Sequence, residues 1–321
     1  MSRLLKLILV FVMIPYLSRG QELLSHAGYQ SAMIRNPGMT GIEGDGKVRL
    51  SYINYYPGNN LDLHTAVISY DSYFPFLHGG AGFYLSDNYL GGVINDLRGG
   101  ISYSYLFRAG RNLFFSAGLS ASIIHRGYDY SGVILPDQID PLAGAVFPSG
   151  EILPEAGRSV LDIGTGFLVI TGRILGGIAV NHLARPDIYK SEFGDGSPGR
   201  CLLLHFTGDI GLSEDKNYHL RPVAKLEVQK GYLSAGGGAV FEANHMALNS
   251  IVFLDNQHNL DMQTGFSVFF SGMILNYSYY FNIASGDNLL PVSVMHQAGI
   301  AISLNNVDKR KTVKTINFPK L

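Results

Sequence analysis

Residues 113–123 read LFFSAGLSASI. Every odd-numbered position in this stretch is apolar, whereas the even-numbered positions from Ser116 to Ser122 are all Ser or Gly. Successive side chains of a β-strand point to opposite faces, so a period of two predicts a strand. One face of this strand would be apolar and the other small and polar. That pairing is typical of a strand with lipid on one side and a polar lumen on the other.

The same period of two recurs along most of the chain, for example in residues 101–107, 220–228 and 273–281. Turn residues divide the chain into about fourteen strands, an even number, as in bacterial outer-membrane barrels. We therefore predict an all-β fold, a transmembrane antiparallel β-barrel of the outer membrane that occupies residues 46–304. The predicted strands lie near residues 46–56, 61–74, 79–88, 94–107, 112–127, 158–170, 173–184, 200–212, 218–229, 232–243, 247–255, 260–270, 272–283 and 292–304.

Composition favours the membrane barrel over a soluble β-sandwich, which remains the alternative fold. Only 15% of the 321 residues are charged, whereas a sandwich would carry more charge on its outward face. The net charge of −1 argues against a nucleic-acid partner, and a hydrophobic content of 46% argues against disorder. After residue 21 no apolar run approaches 18 residues, so a membrane would have to be crossed by strands.

The lengths of the connections between strands predict how the barrel is oriented. Connections after even-numbered strands are short, whereas the two longest, 128–157 and 185–199, both follow odd-numbered strands. Outer-membrane barrels have short periplasmic turns and long outer loops. We therefore expect the N-terminus of the barrel on the periplasmic side and the long loops outside.

Both ends of the chain differ from the strands between them. Residues 1–20 have a basic start, an apolar run and small residues at the −3 and −1 positions before Gln21, the layout of a cleaved signal peptide. A membrane anchor is the alternative, but the apolar run is short for it. Residues 21–45 hold turn residues without periodicity, and residues 305–321 form a basic tail. We expect both of these segments in the periplasm or at the periplasmic mouth, outside the strands.

The sequence predicts no catalytic site, cofactor or metal site. It holds neither a G-x-S-x-G nor an H-E-x-x-H motif, and its one cysteine, Cys201, can form no internal disulfide. His205 and Thr207 fall on one strand face, which leaves an outer-membrane lipid hydrolase as a weak hypothesis. Lys225 and Glu227 are interpreted as partners in a lumen ion pair, and Arg221 is interpreted in the same way.

Several short motifs, in a fixed order, resemble those of the PorP/SprF family of outer-membrane proteins from the type IX secretion system of Bacteroidetes. The motifs cover nearly the whole predicted mature chain. They are Asn36-Pro37-Gly38-Met39-Thr40-Gly41, Tyr52 to Gly58, Ser69-Tyr70-Asp71, Gly79 to Gly82, Asp137-Gln138-Ile139-Asp140-Pro141, Leu161 to Gly166 and Val180 to Leu183. The sequence departs from the family after Leu304, where it continues for the length of the basic tail.

The resemblance implies a barrel without enzyme activity or cofactor that serves secretion or surface anchoring of other proteins. The implied partners are the periplasmic ring with its peptidoglycan-linked proteins, and secreted cargo with a C-terminal signal domain, besides the lipid bilayer. The candidate partner-binding residues lie in the long outer loop and in the tail. They are Asp137, Gln138, Ile139, Asp140, Pro141, Lys309, Arg310, Lys311 and Lys314. The alternative function is a diffusion channel or a transporter of hydrophobic solutes.

Overall fold

Fourteen antiparallel strands form one closed sheet within the part of the chain that the structure, a computed structural model, describes. The described residues are 32–58, 62–140, 142, 144–145, 147–151, 157–188, 196–212, 218–284 and 294–304. The strands are β1 (Lys47–Tyr55), β2 (Leu63–Phe74), β3 (Gly79–Leu90), β4 (Ile94–Arg108), β5 (Leu113–Tyr128), β6 (Gly157–Thr171), β7 (Ile174–Asn181), β8 (Cys201–Gly208), β9 (Tyr218–Gln229), β10 (Tyr232–Ala243), β11 (Met246–Asp255), β12 (Leu260–Phe270), β13 (Met273–Ala284) and β14 (Val294–Ser303).

Each strand pairs with the next along the chain, and β1 pairs with β14 from Lys47↔Ser303 to Tyr55↔Met295, which closes the barrel. The predicted fold class and the fourteen predicted strands are thereby confirmed. The largest differences are at the ends of β7 and β8. β7 stops at Asn181 because His182 turns the chain with a φ of 56°. β8 is interrupted at Asp209, whose N–H donates to the Arg173 carbonyl, and continues only as Ile210–Gly211.

The barrel is apolar outside and polar inside, the reverse of a soluble protein. On β4, Ile101 is 67% exposed and the adjacent Ser102 only 5%. On β5, Leu119 is 61% exposed, whereas Ser116 is 1% exposed. Large apolar side chains facing outward along whole strands are stable only against lipid. No helix among the described residues has the length and apolarity needed to cross a membrane.

One end of the barrel carries a band of neighbouring aromatic rings. Tyr105, Phe107, Phe115 and Phe167 follow one another around the wall, with ring centroids 6.3, 5.2 and 5.7 Å apart. Aromatic girdles of this kind lie where a barrel meets the membrane surface. This end also has the short turns, and we call it the short-turn end. The connections after β5 and β7, which are the long ones, are at the opposite, long-loop end.

An apolar cluster fills the lumen at the short-turn end. Its buried members are Met39, Ile42, Phe114, Leu168, Ile170 and Leu175. Only the last four belong to strands, so a segment from before β1 supplies the rest of this core. A second buried cluster lies on the β1, β11, β13 and β14 walls and comprises Ile53, Tyr55, Ile251, Phe253, Tyr280 and Met295.

The expectation for residues 21–45 needs correction. Residues 36–42 are all buried, and they contact lumen-facing side chains instead of lying outside the strands. The physical reason is that turn residues can be buried when side chains of a polar wall satisfy their backbone groups. Residues 21–31 lie outside the described residues. So do the predicted signal peptide, residues 1–20, and the basic tail, residues 305–321.

Candidate functional site

A short segment of the chain is bound inside the barrel, and we call residues 32–44 the inner segment. It contains the helical turn α1 (Ala32–Arg35) and a 3-10 turn, Pro37–Met39. Asn36 caps the 3-10 turn by accepting a hydrogen bond of 2.9 Å from the Gly38 N–H. Pro37 occupies the first position of that turn, where no donor is needed. Gly41, shortly after this turn, has a φ of +65°, a conformation that favours glycine.

Serine hydroxyls of the lumen wall satisfy the backbone of the inner segment. The hydroxyl of Ser116 donates to the Gly38 carbonyl at 2.6 Å, and that of Ser104 donates to the Thr40 carbonyl at 2.7 Å. The hydroxyls of Thr40 and Ser102 lie 2.6 Å apart. The small, polar strand face that the sequence shows is therefore a binding surface for the chain itself.

Glycines in the wall make room for the inner segment. A Cβ on Gly80 would overlap the Thr40 carbonyl, and a Cβ on Gly118 would overlap the Pro37 carbonyl group. A Cβ on Gly166 would overlap the side-chain oxygen of Asn36. These glycines lie on β3, β5 and β6, so three strands lack a side chain where the segment approaches. The wall and the segment are therefore matched in shape.

Asn36 also ties the inner segment to β8. Its Nδ2 lies 2.8 Å from Nε2 of His205 and 3.4 Å from the Ile178 carbonyl. The Gly38 N–H already donates to Oδ1 of Asn36, which fixes the orientation of the amide. Nδ2 is then the donor, so Nε2 of His205 must accept, and the imidazole carries its proton on Nδ1.

Ion pairs hold both ends of the inner segment. Arg35 contacts Oε2 of Glu227, and Nζ of Lys225 lies 3.0 Å from the same oxygen. At the other end, Glu43 contacts Lys47 and lies 2.6 Å from Arg49.

The wall residues take part in further polar contacts. The Gly41 N–H donates to Asp71 at 2.7 Å, and Asn181 donates to the Arg35 carbonyl at 3.0 Å. Arg221 lies 2.5 Å from Glu242. The interpretation of Lys225, Glu227 and Arg221 as members of lumen ion pairs is confirmed.

His205 and Thr207 do not form a nucleophile and base pair. Both line the lumen, but Nε2 of His205 accepts from Asn36, and no hydrogen bond joins His205 to Thr207. The hydrolase hypothesis therefore loses its geometric basis. Among the described residues no cluster of His, Cys, Asp and Glu is arranged to hold a metal ion.

Most of the residues predicted in the outer loop make hydrogen bonds within the loop. Asp137 accepts hydrogen bonds from the Ser149 hydroxyl at 2.9 Å and the Gly150 N–H at 2.7 Å, and the Gly150 N–H lowers the pKa of Asp137. Gln138 accepts from the Leu135 N–H, and Asp140 from the Leu142 N–H, both at 2.8 Å.

The loop exposes apolar side chains that the sequence analysis did not single out. Ile139, one of the predicted residues, is 53% exposed, and Leu142 is fully exposed. Ile134 and Phe147 are 61% and 52% exposed. The sequence signal that could have revealed these side chains is the presence of apolar residues inside a long loop. Pro141 lies outside the described residues, as do Lys309, Arg310, Lys311 and Lys314 of the tail.

Known structures with a similar fold include channels and transporters. A TodX deltaS2S3 mutant monoaromatic hydrocarbon channel matches with a TM-score of 0.54 and 12% identity, over 85% of this chain and 94% of that chain. The Pseudomonas putida toluene transporter TodX matches with a TM-score of 0.51 and 11% identity, over 86% and 93%. The Ralstonia pickettii toluene transporter TbuX matches with a TM-score of 0.51 and 12% identity, over 85% and 92%. At these identities the likeness shows the fold alone, an outer-membrane barrel.

Among curated proteins no sequence matches this chain. A family model described as type IX secretion system membrane protein PorP/SprF matches residues 20–296, which is most of the chain. The matched range includes the inner segment and the strands from β1 to β13. The chain therefore belongs to the PorP/SprF family of type IX secretion system membrane proteins, and it is an integral β-barrel of the outer membrane.

Proposed function

We propose that this protein is a non-enzymatic outer-membrane component of the type IX secretion system that holds other proteins at its two ends. In this proposal the long-loop end assists secretion or surface anchoring of a cargo protein with a C-terminal signal domain. The short-turn end docks to periplasmic ring components and their peptidoglycan-linked partners. The observation that carries the proposal is the inner segment. Because the lumen holds a segment of the chain itself, the two ends of the barrel are the surfaces left to bind other proteins.

The extent of the inner segment supports this reading. It contacts every strand from β1 to β9, through residues that run from Lys47 to Glu227. Its position is fixed by buried hydrogen bonds, by ion pairs and by glycines shaped to receive it. A segment bound this extensively restricts the lumen, so the secreted protein would use the barrel as an anchor.

The exposed apolar side chains of the outer loop are the proposed cargo contact. Ile134, Ile139, Leu142 and Phe147 lie beyond the end of β5, outside the lipid-facing wall. Apolar patches that face water rather than lipid mark protein–protein interfaces. Asp137 keeps this loop in shape through its bonds to Ser149 and Gly150, so its role would be indirect.

The basic tail is the proposed contact with the periplasmic machinery. Residues 305–321 follow β14 directly at the short-turn end, and they include Lys309, Arg310, Lys311 and Lys314. A basic peptide binds an acidic protein surface with a strong dependence on salt. This end would lie in the periplasm, where the ring components are found.

The test is a pull-down of tagged full-length protein from native outer membranes in mild detergent, read by mass spectrometry. We expect ring components or one large surface protein in stoichiometric amounts. The double variant Leu142→Ser and Phe147→Ser should lose the cargo and keep the ring. The double variant Lys309→Glu and Lys311→Glu should do the reverse. Ser131→Ala, an exposed change in the same outer loop, is the control. A barrel that purifies alone would refute the proposal.

A diffusion channel or hydrophobic-solute transporter is the second candidate, and a cavity in the lumen favours it. The cavity has a volume of about 70 Å³ and is lined by residues of β1 and of β10 to β14. Its lining is mixed: apolar side chains accompany the uncharged polar side chains of Asn249, Gln263, Asn276, Ser278 and Gln297. The similar structures are themselves named as toluene transporters or a hydrocarbon channel. Steady conductance of the purified protein in planar bilayers would favour this candidate.

A further inference from the structure

Among the described residues, two side-chain amides that line one cavity have a buried oxygen without a hydrogen-bond partner. Gln263 on β12 is 3% exposed, and its Oε1 has no partner in the described part of the chain. Oδ1 of Asn249 on β11 is buried as well and has no partner there either. Both side chains line the cavity formed by β1 and β10 to β14. Because buried amide oxygens normally accept a hydrogen bond, each is a position where a bound donor would be stabilised.

The register of the strands brings these two amides close together. Asn249 lies directly opposite Gly265 on β12, and Gln263 is two residues from Gly265 on the same strand face. Such diagonal neighbours lie about 7–8 Å apart. Gly265 has no side chain, and a Cβ there would overlap the Ser278 hydroxyl. The space beside both amides is therefore open, and one short molecule can contact both oxygens.

Further uncharged polar side chains lie around Gly265. Ser278 on β13 lies directly opposite Gly265, and Gln297 on β14 lies directly opposite Ser278. Ser267 and Asn276 face each other two residues further along β12 and β13. These four side chains line the same cavity, together with apolar side chains that can pack against the carbon atoms of a ligand.

The charged residue of the cavity lining is already paired. Of the described residues that line the cavity, only Arg49 is charged, and it contacts Asp71 and lies 2.6 Å from Glu43. A bound cation would lie beside the Arg49 guanidinium, and a bound anion would compete with two carboxylates for it. The cavity therefore favours a neutral ligand.

We propose that this cavity binds a small neutral polyol, a short carbon chain with hydroxyl groups on neighbouring carbons. A hydroxyl both donates and accepts, so it can donate to the amide oxygens of Asn249 and Gln263 and accept from the hydroxyls around them. A hydrocarbon would leave both amide oxygens unsatisfied. The volume of about 70 Å³ suits a small organic molecule, since a single water needs only about 10–15 Å³ of such space. The proposal goes beyond the docking role and does not depend on it.

Saturation-transfer NMR of the full-length protein in lipid nanodiscs tests the proposal. The ligand is erythritol, and its match is butane-1,4-diol, which has the same carbon chain with fewer hydroxyl groups. We expect erythritol to bind at least fivefold more tightly than butane-1,4-diol, because the diol has too few donors for the amide oxygens.

Variants of the two amides locate the binding site. Gln263→Met and Asn249→Leu remove an amide but nearly keep the shape of the side chain, and each should weaken erythritol binding at least fivefold. Gln229→Met is the matched control, because Gln229 is a buried lumen residue on β9 that does not line this cavity. It should leave erythritol binding unchanged.

Three results would overturn the proposal. The first is no erythritol signal beyond that of empty nanodiscs, which would mean that the cavity holds water only. The second is equal binding of erythritol and butane-1,4-diol. The third is erythritol binding that both amide variants leave unchanged, or that Gln229→Met weakens as much as they do. Heat-modifiable migration on gels checks that each variant keeps its barrel, so that loss of binding is not loss of fold.

Discussion

Nδ2 of Asn36 donates a hydrogen bond of 2.8 Å to Nε2 of His205, although the two residues are 169 positions apart in the chain. The same amide accepts a bond from the Gly38 N–H, so one side chain both shapes the inner segment and attaches it to β8. The amide of Asn carries its donor and its acceptor on two separate atoms, so it can serve both partners at once. Asn36 is therefore where the conformation of the segment and its attachment are coupled.

Asn36→Ala should loosen the inner segment. The change leaves the Gly38 N–H and Nε2 of His205 without their partner, at a cost of about 1–3 kcal/mol for each buried group. We expect trypsin to cleave after Arg35 at least tenfold faster than in the parent, as measured by intact mass after timed digestion. Asn112→Ala, in an exposed turn, is the control. Equal cleavage rates in both variants would show that Asn36 does not hold the segment.

Gly118→Ala should displace the inner segment through a clash with the Pro37 carbonyl group. Gly237→Ala is the matched control, because a Cβ there meets nothing within 4 Å. Both are changes from Gly to Ala within strands, so their intrinsic strand propensities cancel. We expect higher single-channel conductance in planar bilayers for Gly118→Ala alone. Equal conductance of the two variants would mean that the segment does not restrict the lumen.

A designed disulfide should trap the inner segment in the lumen. The hydroxyl oxygens of Thr40 and Ser102 are 2.6 Å apart, which places the two side chains within reach of a disulfide. In a Cys201→Ser background, Thr40→Cys with Ser102→Cys should oxidise readily and shift the non-reduced band on gels. Thr40→Cys with Ser278→Cys, on the β13 wall, should remain reduced. Efficient oxidation of the second pair instead would place the segment elsewhere.

The fold of the outer loop should depend on the charge of Asp137. Its pKa is lowered in the folded loop, chiefly by the Gly150 N–H, so the carboxylate stabilises the loop above the ordinary pKa of about 3.9. This contribution is lost as the pH falls through the lowered value. We expect the Gly150 amide to be protected from hydrogen exchange at neutral pH and to lose protection in strong acid. In Asp137→Asn, which cannot titrate, protection should not vary with pH.

Most of the barrel could be predicted from the sequence, because the pleat of a strand imposes a period of two that local residues reveal. In stretches such as 113–123, the alternating residues show which side chains face lipid and which face the lumen. Numbering the strands then predicts the end of the barrel at which each loop lies. The inner segment could not be placed in this way. Residues 36–41 show only turn residues, and their burial depends on Ser102, Ser116 and His205, which lie 62 or more positions away.

The candidate site was predicted only in part for a related reason. Asp137 and Asp140 were recognised as a motif, but a motif does not reveal which side chains are used within the loop. The exposed Leu142 and Phe147 were missed because exposure is a property of the folded loop. In the sequence, the glycines that receive the inner segment resemble ordinary small residues of a lumen face. Their function depends on contact with a segment that is distant from them in the sequence.

The place of the inner segment in the chain has a consequence for how the barrel is assembled. It precedes β1, and its hydrogen bonds and ion pairs reach residues of β1 to β9. The barrel closes only when Lys47 and Ser303 pair at the junction of β1 and β14. A folded segment flanked by ion pairs would be difficult to insert after that closure. We therefore expect the growing sheet to curl around the segment, which would be enclosed when the last strand is added.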